Sequence, residues 1–357
     1  MEKIKKIKKI IVISLSIVVI AIGMYSVISK FKEMNQSENS LIKEKTGFLL
    51  GTVVQIKLPE PQPVKLFDEA FKLIGNIEDK MSINIEDSEV IRINENAGKS
   101  YIKVSPETYY VIERGKHYSE LSEGRFDISI GPLVKLWGIG SKDAKVPLQS
   151  EIDNALSKVD YRNLLLDESD KSVMLAAEGM VIDLGGIAKG YAADVIADYL
   201  KSQNINNAII DLGGNVLALG GNVKTDKWNI GIQDPFEPRN KYIGIIGIKD
   251  KTIVTSGVYE RNFIENGKMY HHILDPFTGY PVENSLVAVS IIADKSIDAD
   301  GLSTTVFALG LEKGAELIEN LDGIDAIFVD KDKNVYITEG VKDSFTITNN
   351  DFKEKDL

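Results

Sequence analysis

The sequence predicts an α+β fold: one domain of mixed, mainly antiparallel sheet with flanking helices, preceded by an N-terminal transmembrane anchor. Three observations predict it. Helix-like and strand-like stretches come in separate runs rather than in strict alternation, which is the pattern of α+β proteins. No long linker interrupts residues 47–345, so a single domain is the simplest division. Finally, a 19-residue stretch without a charge, Ile10 to Ile28, follows five lysines near the N-terminus, and that length can cross a bilayer.

The anchor sets the expected organisation. Lysines ahead of the span outnumber Lys30 and Lys32 behind it, so the N-terminus is expected in the cytoplasm. Ala21-Ile22-Gly23 is a poor cleavage signal, which favours an uncleaved anchor over a removed signal peptide. The reading is a basic cytoplasmic tail over 1–9, the anchor over 10–28, a polar tether over 29–46, the folded domain over 47–345 and a C-terminal tail over 346–357. This describes a single-pass protein of the cell membrane with its domain outside.

Within the domain, Phe48–Leu58 alternates loosely and reads as a strand. Leu66, Phe67, Ala70, Phe71, Leu73, Ile74 and Ile77 then fall at helical spacing. Ser105 and Pro106 mark a helix start, as N-cap and first helical residue. A strand follows Gly179, and a helix runs from about Ile187 to Lys201. Strands dominate from Asn207 to about Ser290, with Asn266-Gly267 as a tight hairpin turn. "SIDADGLSTTVFALG" reads as a loop entering a helix, and "IDAIFVDKDKNVYIT" as another hairpin.

Composition excludes several functions. The net charge is −11, from 53 acidic and 42 basic residues, and an acidic chain does not bind nucleic acid through a basic surface. If the substrate is a phosphate ester, a divalent cation must supply positive charge. The chain has no cysteine, which removes disulfide scaffolds, cysteine zinc sites, thiol nucleophiles and an acylated-cysteine anchor.

Several stretches can carry chemistry. "DLGGIAKG" from Asp183 places a Gly-Gly turn between a strand and a helix, where free N–H groups and the helix dipole suit an anion. Lys189 stands in the first helical turn, within reach of the same place; taken alone, the stretch reads more simply as a tight turn in which glycine avoids strain. A second "DLGG" from Asp211 lies between two strands and reads as a close backbone approach. "MYHHILDPFTGYP" holds His271 and His272, which point to opposite faces of a strand. "DADGLSTT" offers Asp298, Asp300, Ser303, Thr304 and Thr305, hard oxygen ligands of the kind Mg²⁺ takes, or else the cap of a helix.

In this order, the stretches resemble the FAD:protein FMN transferase (ApbE) family. The matching pieces are "LGT" at Leu50, the "MS…SEV…IN" block from Met81, "GRFDISIGPLVKLWG", "DLGGIAKGYAAD", "DLGGN", "TSGVYER" from Thr255, "HILDPFTGYP" from His272 and "ADGLST" from Ala299. The resemblance implies a Mg²⁺-dependent enzyme that uses FAD as substrate. It moves the FMN half onto a threonine or serine hydroxyl of an acceptor protein outside the cytoplasm and releases AMP. It further implies Mg²⁺ held by the Gly186 carbonyl, Asp300 and Thr304. FAD would lie against Leu50, Asn84, Arg125, Phe126, Asp127, Asp183, Lys189 and Leu274, with His272 as the catalytic residue nearest the pyrophosphate.

One residue departs from the family pattern. Asn84 stands where many members carry tyrosine, and an aromatic plane for stacking is lost. Hydrolysis of FAD to FMN and AMP can then compete with transfer. The alternatives to a transferase are a Mg²⁺-dependent FAD pyrophosphatase, including one built on His272, Asp298 and Asp300, and a non-catalytic extracytoplasmic flavin-binding protein.

Overall fold

The computed structural model describes residues 41–357. The expected cytoplasmic tail, anchor and most of the tether lie outside the described residues; among those described, no helix is long and apolar enough to cross a membrane.

The chain opens with a hairpin, β1 (Leu41–Leu49) and β2 (Thr52–Pro63), followed by helices α1 (Val64–Met81) and α2 (Glu89–Glu95) and a short strand β3 (Ile102–Lys103). Helices α3 (Pro106–Leu121), α4 (Gly131–Trp137) and α5 (Gln149–Leu156) come next, then β4 (Leu164–Asp167) and β5 (Ser172–Leu175). Helix α6 (Ala188–Ser202) leads into β6 (Ala208–Leu212), β7 (Asn215–Leu219), β8 (Trp228–Gln233), β9 (Tyr242–Ile248) and β10 (Lys251–Gly257). The hairpin β11 (Asn262–Glu265) and β12 (Lys268–His271) precedes β13 (Leu286–Ala293). Helices α7 (Ser296–Leu309) and α8 (Leu311–Glu319) and strands β14 (Asp325–Asp330), β15 (Asn334–Ile337), β16 (Phe345–Ile347) and β17 (Lys353–Lys355) complete the chain.

Nine strands form the main sheet in the order β1-β2-β6-β7-β10-β13-β14-β15-β17. Every pairing in it is antiparallel except β15 with β17. Strand β13 is buried at every position, because both faces of the sheet are covered. Helices α1, α6, α7 and α8 pack on one face around Phe67, Ile74, Ile196, Val306 and Phe328. The small sheet β16-β9-β8 shares a second core with the other face, around Ile246, Ile253, Ile292 and Val335. In α1 the buried residues Phe67, Ala70, Ile74, Ile77 and Met81 recur at helical spacing. Each such large side chain contributes about 1.5–3 kcal/mol by leaving water.

Several expectations are corrected. Phe48–Leu58 is not one strand but the meeting of β1 and β2, with the chain reversing at Leu50-Gly51, where φ is +53° and +66°. Two left-handed residues in succession are the geometry of a tight hairpin turn. Strand β1 begins at Leu41, inside the expected tether, because it pairs with β2 as far back as Leu41 opposite Pro63. The expected C-terminal tail contributes β17 and most of β16, and buries Phe352. The segment after Gly179 makes only one bridge, Val181 to Ile130. It is held instead by Asn94, whose side chain donates to the Ile182 carbonyl at 3.1 Å and accepts from its N–H at 2.8 Å. Finally, Asp298 and Asp300 lie within α7 and not in a loop before it.

Candidate active site

The first DLGG turn joins the clamped segment 181–183 to α6. The Asp183 N–H donates to the Ile128 carbonyl at 2.8 Å, and the Asp183 carboxylate accepts from Gly185 N at 2.8 Å. Burial raises the Asp183 carboxyl above its ordinary value. The turn faces α7 because α6 and α7 meet at Gly190. A Cβ there would stand 2.3 Å from the Ser296 carbonyl oxygen, so only glycine lets the helices approach this closely.

That approach changes the hydrogen bonding. The Gly190 N–H donates at 2.8 Å to Oδ2 of the buried Asp300, in place of a helical bond to the Gly186 carbonyl. Among the described residues, no backbone N–H donates to that carbonyl. Lys189 Nζ lies 3.4 Å from Asp300 Oδ1 and donates to the Gly185 carbonyl at 3.1 Å. Thr304 stands one turn beyond Asp300. A Cβ built on Gly186 would lie 3.9 Å from its Oγ1 and 3.1 Å from the Phe126 ring. Gly186, Lys189, Asp300, Thr304 and Phe126 are therefore brought together. Ser256 joins them: its hydroxyl is 2.9 Å from Ser303 Oγ and 3.3 Å from Thr304 Oγ1.

The second DLGG supports the same helix. Asn215 is buried after it and accepts from Ser296 Oγ at 2.7 Å, and Thr252 donates to that hydroxyl at 3.1 Å. Asp194 of α6 accepts from the N–H groups of Ser296 and Ile297, at 2.9 and 3.0 Å. The start of α7 is thus capped by a neighbouring helix.

The histidines divide as alternation requires. His271 is buried against Phe307, and its Nε2 donates to the Val282 carbonyl at 3.0 Å. His272 is half-buried and faces Arg261: its N–H donates to the Arg261 carbonyl at 3.0 Å, and its Nδ1 lies 3.3 Å from the same oxygen. A carbonyl only accepts, so Nδ1 carries the proton and Nε2 of the neutral ring is the acceptor. Burial pushes the His272 pKa down to about 4, helped by the charge of Arg261.

Other expected site residues are placed differently. Asp127 is buried with its carboxylate occupied: Oδ1 accepts from Ser129 N and Oγ, each at 2.7 Å, and Oδ2 from Tyr161 N at 3.0 Å. Its side chain shapes the turn through these bonds. The Leu274 side chain is likewise core, packed with Leu133, Trp137 and Ile152. Arg125 pairs with Asp275 at 3.2 Å and covers the Phe277 ring at 4.6 Å. Leu50 and Asn84 both lie at the end of α1. The Leu50 N–H donates to Glu78 at 2.9 Å, and exposed Asn84 donates to Ser82 Oγ at 3.1 Å. Asp298 leaves the site, because Arg114 at 2.7 Å and the Tyr118 hydroxyl at 2.9 Å engage its Oδ1. A hydrolytic centre of His272, Asp298 and Asp300 is not assembled. A depression of about 850 Å³ bounded by Lys201, Asn206, Gly221, Lys224 and Asp250 shares no residue with the site.

A glycine turn at a helix start, a set of hard oxygen donors and a neutral imidazole on an α+β scaffold suit a phosphate-handling enzyme. Residues 50–328 match the ApbE family, and the chain belongs to it. The FAD:protein FMN transferase of Klebsiella pneumoniae is 40% identical over 293 residues, 82% of this chain and 90% of that protein. That of Treponema pallidum is 37% identical, covering 83% and 86%. The crystal structure of the ApbE protein from Thermotoga maritima superposes with a TM-score of 0.77 at 33% identity, over 85% of this chain and 98% of that one. The flavin transferase ApbE from Vibrio cholerae gives 0.76 at 30% identity, over 85% and 99%.

Proposed function

We propose that this chain is a Mg²⁺-dependent FAD:protein FMN transferase, anchored in the membrane by Ile10–Ile28 and acting on an acceptor protein outside the cytoplasm. The observation that carries the reading is the Gly190–Asp300 hydrogen bond, which leaves the Gly186 carbonyl without a backbone donor beside Asp300 and Thr304. Membership of the ApbE family supports the same reaction.

The residues fit Mg²⁺ by donor chemistry. Carbonyl, carboxylate and hydroxyl oxygens are what a hard cation takes. Among the described residues, no three His, Cys, Asp or Glu side chains gather in one place. When bound, Mg²⁺ would neutralise phosphate charge.

The chain's own groups supply the rest. Turn 183–186 and Lys189 receive the pyrophosphate, and Phe126 walls the turn. His272 Nε2 accepts the proton of the acceptor hydroxyl as its oxygen bonds to the FMN phosphorus. The bridging P–O bond breaks, and AMP leaves with the bridging oxygen. Positioning and charge neutralisation dominate such phosphoryl transfer. Exposed Asn84 offers no aromatic plane, which favours water as a competing acceptor.

The test is incubation of the full chain with FAD, Mg²⁺ and an acceptor protein, with mass spectrometry of the acceptor and chromatography of the nucleotides. The expected result is an acceptor heavier by FMN less water, with one AMP released for each. FAD that stays intact would leave a binding protein, and FMN release without acceptor labelling a pyrophosphatase. Asp300→Asn is expected to abolish Mg²⁺-dependent turnover with the fold kept; an unchanged rate and Mg²⁺ dependence would remove Asp300 from the metal site.

A further inference from the structure

The chain has six arginines. Five have a carboxylate within reach: Arg92 with Glu89, Arg114 with Asp298, Arg125 with Asp275, Arg162 with Asp160 and Arg239 with Glu260. Among the described residues, Arg261 has none. In a chain where acidic residues outnumber basic ones by 53 to 42, one guanidinium without an ion pair among the described residues calls for an anion from elsewhere.

Its seat is built. Nη2 donates to the Gly51 carbonyl at 3.3 Å, at the β1–β2 turn. A Cβ at Gly140, where φ is +92°, would stand 3.2 Å from Arg261 Cδ, so the side chain runs along bare backbone. Its own carbonyl receives the His272 N–H. The residue is exposed, so its side chain is open to a ligand from solvent. Its charge acts on both His272 and Asp183, the first residue of the anion turn. Arg261 thus links three places, the Leu50-Gly51 turn, the catalytic histidine and the DLGG turn, and its planar fork suits phosphate oxygens.

We propose that Arg261 is a further substrate-binding residue, the guanidinium that grips the pyrophosphate of FAD beside His272. This rests on the flavin-transfer reading for the identity of the anion. The single bond to Gly51 orients the fork, and no carboxylate has to be displaced when the anion enters.

Binding measurements on the full chain test it, with flavin fluorescence as readout and FAD and riboflavin as the two ligands. Riboflavin carries the same ring without phosphate. Loss of one charge-assisted contact is expected to weaken FAD binding by Arg261→Ala roughly ten- to hundredfold, with riboflavin binding unchanged. Arg261→Lys, which restores a point charge without the fork, should recover part of the loss. Two results would overturn the proposal: unchanged FAD affinity in Arg261→Ala, or equal weakening of FAD and riboflavin, which would make Arg261 only a clamp on the β1–β2 turn. Riboflavin binding also reports that each variant is folded. The contrast is read in binding alone, so it is decided whether or not the wild-type chain goes on to transfer FMN to an acceptor.

Discussion

The two adjacent histidines differ in every property that matters for proton transfer. His271 is buried with Nε2 engaged by Val282 and its Nδ1 enclosed without a partner, whereas His272 holds its Nδ1 proton on Arg261 and presents Nε2. General-base catalysis contributes roughly 10²–10⁴-fold, so His272→Ala is expected to lower the transfer rate by about that factor at saturating FAD, with FAD still bound. His271→Ala should lose some stability and keep the rate. Rates and urea midpoints of both variants decide this, and a crippled His271→Ala with a normal His272→Ala would reverse the assignment. The pH dependence follows with its sign. The folded pKa of His272 is depressed to about 4 against an ordinary 6.5, so the folded chain holds fewer protons than the unfolded chain between those values. The acid limb of kcat/KM should therefore fall only as pH approaches about 4, whereas this group's effect on stability is nil above 6.5 and grows unfavourable as pH drops toward 4. The division between the histidines was legible in the sequence, because a strand alternates. The occupied carboxylate of Asp127 was not: its partners Ser129 and Tyr161 include one far along the chain, and no local pattern announces such a bond.

At the scale of elements, periodic segments were readable and exceptions to periodicity were not. Helices α1, α3 and α6 follow from apolar spacing and, for α3, from Ser105, whose hydroxyl accepts from Thr108 N. The β1–β2 turn escaped notice because Leu50 occupies a left-handed position normally marked by Asn or Gly. The early start of α7 escaped for a related reason: Lys295, at its N-cap position, makes no side-chain cap. The cap comes from Asp194, 102 residues earlier in sequence as counted to Ser296. Helix α7 carries Asp300 and Thr304, so this borrowed cap sets the height of the proposed metal donors. Removing a cap costs about 0.5–2 kcal/mol. Asp194→Ala is therefore expected to lower stability by roughly that amount and to raise the Mg²⁺ concentration needed for half-maximal turnover. Urea unfolding and a Mg²⁺ titration measure the two effects. A stability loss with an unchanged Mg²⁺ requirement would separate the cap from the metal site.

For the whole molecule, the acidic balance and the N-terminal sequence bear on where the chemistry happens. With a net charge of −11, the proposed site would meet a pyrophosphate through a few placed cations, Lys189 and Arg261 with a divalent ion. It also keeps the domain from adhering to anionic lipid through a basic face. On the proposed topology, membrane attachment rests on the span Ile10–Ile28. Five lysines precede that span, with Lys30 and Lys32 behind it, and such an excess retains the N-terminus in the cytoplasm. The first described strand begins at Leu41, so only residues 29–40 lie between the proposed span and that strand. The site is expected to work close to the outer surface, on acceptors that are themselves at the membrane. Protease added to intact cells should degrade the domain, and carbonate washing should leave the undigested chain in the membrane fraction. Full protection in sealed cells would place the domain inside, and release by carbonate would remove the anchor.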